Sequence, residues 1–148
     1  MIVLYPLTNY NMDIEVIKIV FDTGLFVLIW IVQLVIYPGL CYYNDVDIKR
    51  WHQVYTKRIT IIVLPLMLGQ LVVYAIDSYL SPGFESIALL VLVLLNWGLT
   101  FLLAVPLHNV IGCALPCQQE RQQLVKVNWL RTALWTIIFI ISLAYYGK

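Results

Sequence analysis

Two histidines and a few polar residues are the side chains in this chain best suited to chemistry: His52, Tyr55, Arg58, His108, Asn109, Asn128 and Arg131. His52, Tyr55 and Arg58 are spaced i, i+3, i+6, which on a helix spreads them over about a third of the circumference. Asn128 and Arg131 would supply a matching surface from another helix, and His108 with Asn109 a third side. Such a set describes a polar, net-basic cavity mouth, and an anionic headgroup, a phosphate or a carboxylate would suit it. Two imidazoles facing each other across a bundle could instead clamp a haem iron from both sides. One of them could also act as acid or base in a lipid-facing pocket. The plainer readings stand beside these. A histidine at an interface can simply bond a carbonyl or a headgroup, Arg58 and Arg131 can reach anionic lipid, and Trp51 and Trp129 can form an aromatic belt. Cys41, Cys113 and Cys117 lie on the same side, but Cys113-x-x-x-Cys117 is not a clean zinc spacing, and three small apolar residues near an interface is the simpler account.

The elements that must hold these residues follow from composition. Of 148 residues, 62% are hydrophobic and 11% charged, against about 45–50% and about 25% in soluble domains. This excludes an ordinary cytosolic enzyme, a nucleic-acid binder and a disordered tail, and points to an integral membrane protein. Four segments approach the roughly 20 apolar residues that a membrane helix needs. With their polar approaches they predict helices over about 19–37, 47–76, 87–107 and 127–146. Strict alternation is absent, which argues against a β-barrel. The expected fold is all-α: one domain, 1–148, forming an up-down integral membrane four-helix bundle made of two similar helical hairpins. Residues 1–11 lack a basic start, so the first segment does not read as a removable signal peptide, and this oily stretch could lie along the interface or trail as a tail.

The charges suggest an orientation. Lys49, Arg50, Lys57 and Arg58 flank the first connection, and Arg121, Lys126 and Arg131 the third, while the turn from Asp77 to Glu85 has no basic residue. By the positive-inside rule the basic connections are cytoplasmic and both termini outside, in an inner or plasma membrane.

The two hairpins resemble each other. Tyr37-Pro38 ends the first apolar run and Val105-Pro106 the third; Tyr55-x-x-Arg58 opens the second and Asn128-x-x-Arg131 the fourth. Deeper polar residues are few: Asp22, Gln33, Gln70 and Asn96. Asp22, Phe26, Ile29, Gln33 and Tyr37 fall on one helical stripe, with Lys18 as the nearest candidate partner for the Asp22 carboxylate. No chain of acids crosses the membrane, which disfavours a proton pump or an ion channel. Pro65 is expected to bend the second helix.

Several motifs carry a resemblance: Trp30-x-Val32-Gln33-x-x-x-Tyr37-Pro38, Trp51-His52-x-x-Tyr55-x-x-Arg58-Ile59, Val63-x-Pro65-x-Met67-x-x-Gln70, Val105-Pro106-x-His108 and Leu124-Val125-x-x-Asn128-Trp129-x-Arg131-Thr132-x-x-Trp135. From Trp30 to Trp135 the chain resembles a group of small, uncharacterised four-helix bacterial membrane proteins. The resemblance implies shared polar positions at His52, His108, Asn128 and Arg131. The group is expected to carry a second histidine where this chain has Tyr55, and often an acid where it has Gln70. The chain is more loosely similar to anthrone-oxygenase-like proteins and to the bacterial protoporphyrinogen oxidase, whose first-helix histidine it lacks. The leading expectation is a bundle whose cytoplasmic-end pocket binds a small amphipathic ligand or a haem, with redox chemistry as one use. The rival is a non-catalytic accessory subunit of a larger membrane complex. Partners would be the lipid bilayer and a complex or homo-oligomer, with no nucleic acid.

Overall fold

A computed structural model describes residues 7–113 and 116–146, with side-chain surroundings from Asp13 onward apart from Asp45. The described residues are helical, with no strand among them. Four helical spans, Asp13–Tyr42, Val46–Leu80, Phe84–Cys113 and Gln118–Tyr145, are long and apolar enough to cross a membrane. Each packs against its sequence neighbours, and the fourth returns to the first, which closes an up-down four-helix bundle. The apolar stretch at the chain start continues the first helix back to Leu7; residues 1–6 lie outside the described part.

The helices run past the expected bounds, most of all at the basic end. The second begins at Asp45 rather than 47 and continues to Leu80, and the fourth begins at Gln118 rather than 127. Local chemistry explains the early start of the second helix. The Asn44 side chain accepts hydrogen bonds from the backbone N–H groups of Val46 and Asp47, at 3.1 and 2.8 Å, and so satisfies donors that a helix start leaves free. The extensions then bury a core of their own. Tyr37, Leu40, Ile48, Ile111, Cys117 and Leu124 pack together at the basic end, apart from the mid-span core of Leu25, Ile29, Met67, Leu89, Val93 and Trp135. Hydropathy marks only the lipid-facing part of a helix, so it missed these amphipathic ends.

The likeness of the hairpins has a structural counterpart. A π-helical turn precedes each proline motif, Val32–Ile36 before Pro38 and Thr100–Ala104 before Pro106. In each, the residue before the proline bonds five residues back: Tyr37 N–H to the Val32 carbonyl and Val105 N–H to the Thr100 carbonyl. A proline lacks an N–H and crowds the carbonyl four residues earlier, and a widened turn absorbs both effects. Polar side chains beside the widened turns face inward. Gln33 and Tyr37 are buried in the first span, and His108 faces inward one turn after the second bulge.

Candidate functional site

The basic half of the bundle encloses a cavity of about 490 Å³, within the range of about 300–1,000 Å³ common for small-molecule sites. Its polar end is formed by Tyr37 of the first span, His52, Gln53 and Tyr55 of the second, His108 and Asn109 of the third, and Arg131 of the fourth. The rest of the wall is largely apolar, with Leu25, Ile29, Val32, Met67, Phe101 and Trp135. Along the second span the lining runs from His52 to Met67, about 22 Å at 1.5 Å per residue.

Three side chains form a hydrogen-bonded chain across three spans. Tyr37 Oη lies 2.9 Å from His108 Nε2, and His108 Nδ1 lies 2.8 Å from His52 Nε2. A neutral imidazole has one donor and one acceptor nitrogen, so the chain must run in a single direction. If Tyr37 donates to His108, His108 donates to His52. Reversal of all the bonds would pass a proton between the cavity and His52. Tyr55 is held beside this chain by stacking: Tyr43, Trp51 and Tyr55 lie ring on ring, with centroids 5.5 and 4.8 Å apart. Gly112 leaves room at the far side of His52, where a Cβ would sit 3.6 Å from Nδ1.

Arg131 is buried. Its Nη1 donates to Asn128 Oδ1 at 3.1 Å, and Asn128 Nδ2 donates to Gln33 Oε1 at 2.8 Å. The guanidinium carbon lies 5.0 Å from the centre of the Trp135 ring, a cation–π contact. The Tyr37 hydroxyl is a further hydrogen-bond partner, and the Tyr55 hydroxyl lies nearby. Its Nε is buried without a partner, and none of the described residues lining the cavity is acidic.

Six of the seven residues expected at the site lie in or behind this cavity. His52, Tyr55, His108, Asn109 and Arg131 line it, whereas Asn128 stands behind, holding Arg131 to Gln33. Arg58 does not belong: it is exposed and outside the lining. At 100° per residue it sits about 60° beyond Tyr55, past the edge of the face that lines the cavity, while Arg131 turns inward. Tyr37, Gln33 and Trp135 were missed as site residues, although the inward stripe on the first helix and the shared motifs contained all three. The other stripe members are also shielded, with Asp22, Ile29, Gln33 and Tyr37 buried and Phe26 half-buried.

The haem clamp does not fit this arrangement. Axial nitrogens on opposite sides of an iron stand about 4 Å apart, twice a metal–nitrogen bond of about 2.0 Å, with the macrocycle between them. His52 and His108 instead meet directly at 2.8 Å, and the other nitrogen of His108 is taken by Tyr37. Among the described residues no three metal-binding side chains cluster, and Cys41, Cys113 and Cys117 are free thiols.

A second polar cluster lies toward the opposite end. The Asp22 carboxylate accepts from Gln70 Nε2 at 2.7 Å and from Tyr74 Oη at 2.6 Å, and Trp135 Nε1 donates to Gln70 Oε1 at 3.2 Å. Lys18 is not the close partner of Asp22 that the spacing suggested. Its Nζ pairs with Asp77 at 2.8 Å, a reach across to the second span. Comparison of the chain with family models, with curated proteins and with solved structures finds no match.

Proposed function

We propose that this is an integral membrane protein that binds a small amphipathic ligand in the cavity at the basic end of its four-helix bundle. The observation that carries the reading is the shape of that cavity: one polar end built by Tyr37, His52, Tyr55, His108 and Arg131, and an apolar remainder about 22 Å long on the second span. An amphiphile would match it head to tail. The basic connections would face the cytoplasm across an inner or plasma membrane, with both termini outside. In that orientation the polar end lies level with the lipid headgroups, and the apolar part lies in the hydrocarbon slab. The Tyr37–His108–His52 chain would give the site an acid–base capacity beside the bound head. The direct contact between the histidines favours an organic ligand over a haem held between them.

Tryptophan fluorescence tests the reading, because Trp135 lines the cavity. A long-chain amphiphile carrying bromine on its tail should quench the purified protein saturably, and Trp135→Phe should remove the saturable component. Quenching that rises linearly with probe and is the same in both proteins would reject the proposal.

A further inference from the structure

This inference rests on the amphiphile-binding reading and names the ligand class and its source. We infer that the ligand is a single-chain amphiphile with an anionic head, carboxylate or phosphate, that comes from the surrounding lipid leaflet through the gap between the second and third spans and is held at its head by Arg131.

Charge carries the first half of the inference. A buried guanidinium is costly unless an anion or a full set of hydrogen bonds compensates it. Arg131 has neither. Its Nη1 meets a neutral amide, its Nε has no partner, a further bond goes to the neutral Tyr37 hydroxyl, its remaining neighbours are Tyr55 and an indole, and no acid is among the described lining residues. Arg121 shows the contrast. It is equally buried, yet its guanidinium donates to the carbonyls of Leu40 and Tyr43 at 3.1 and 2.8 Å. Arg121 is tied into the backbone, whereas Arg131 faces a cavity with fork-shaped donors suited to a carboxylate or a phosphate.

Exposure carries the second half. The lining residues from the first and fourth spans are buried or half-buried, so those spans form the floor. The exposed lining residues (Gln53, Thr60, Leu64, Phe101, Asn109 and Cys113) all belong to the second and third spans. The opening therefore lies between those two spans, and at Leu64 and Phe101 it is at the depth of the apolar stretch, where lipid tails rather than water surround the protein. The Thr60 hydroxyl there bonds its own helix, donating to the Thr56 carbonyl at 2.7 Å, so no free donor obstructs an entering tail.

The test uses the full chain in nanodiscs of zwitterionic lipid, with dibromostearate and its methyl ester as quenchers of Trp135. The anion should bind about tenfold tighter than the ester or better, the scale of a hydrogen bond to a charged group. Arg131→Gln should abolish that preference while leaving ester binding in place, and Arg131→Lys should keep part of it. Acetate and inorganic phosphate, which carry the head without the tail, should not displace the probe. Equal binding of acid and ester to the wild-type chain would overturn the anionic head while leaving the amphiphile reading intact, and needs no variant to fold. Displacement by phosphate alone would overturn the leaflet source. Absence of saturable quenching by either probe would reject the amphiphile reading itself.

Discussion

Two polar layers cross the bundle, one around Asp22 and one around Arg131, and they handle a buried charge in opposite ways. Around Asp22 both carboxylate oxygens accept short bonds, from Gln70 and Tyr74, and Trp135 completes the amide of Gln70. The layer is closed on itself and joins the first, second and fourth spans. Around Arg131 the partners are the neutral Asn128 amide and Tyr37 hydroxyl, Nε is left over, and the guanidinium borders an open cavity. A charge whose partners are all supplied by the chain fixes the packing of helices in lipid, where unsatisfied polar groups are expensive. A charge left short of partners beside an open volume is what the proposed ligand would complete.

Substitutions can break or sharpen this contrast. The largest effect on stability is expected at the closed layer. Asp22→Ala orphans two buried donors at about 1–3 kcal/mol each, so a loss of about 2–6 kcal/mol is expected in reversible unfolding in detergent. Ligand affinity, measured by quenching in the fraction that folds, should stay unchanged. At the open layer the signs exchange. Arg131→Gln should weaken binding of a long-chain anion by about tenfold or more, while unfolding shifts little, because the lost bond to Asn128 is offset by relief of an uncompensated buried charge. His108→Phe interrupts the chain between Tyr37 and His52. It should cost about 1 kcal/mol in unfolding and change affinity less than Arg131→Gln does. Arg58→Gln, on an exposed flank, should stay within about 0.5 kcal/mol of wild type and bind normally. A strong binding defect there would move the site off the cavity.

The same contrast shows how far the residues alone could be read. The four spans and the bundle followed from apolar length, and the inward stripe of the first helix followed from its spacing. The clustering of His52, Tyr55, His108 and Arg131 followed from placing polar residues at similar depth. The i, i+3, i+6 fan grouped Arg58 with His52 and Tyr55, but the face that lines the cavity ends at Tyr55 and leaves Arg58 outside. Lys18 was assigned to Asp22 by the i, i+4 rule, but Asp77 on the neighbouring span offered the ion pair, and Gln70 with Tyr74 offered the carboxylate better-buried donors. Two features could not be read at all. The π-turns before Pro38 and Pro106 depend on how each proline's clash is relieved. The direct histidine contact, which leaves no place for an iron between the rings, depends on how closely the second and third spans approach.

The central claim is that the Arg131 layer, and not the Asp22 layer, is the one completed by a ligand. Thermal unfolding of wild type, Asp22→Asn and Arg131→Gln, each with and without a long-chain carboxylate, tests it most directly, because a ligand that binds only the folded state raises the melting temperature. The ligand should raise it in wild type and in Asp22→Asn, whatever their starting values, and should leave Arg131→Gln nearly unmoved. An equal rise in Arg131→Gln and wild type would contradict the account.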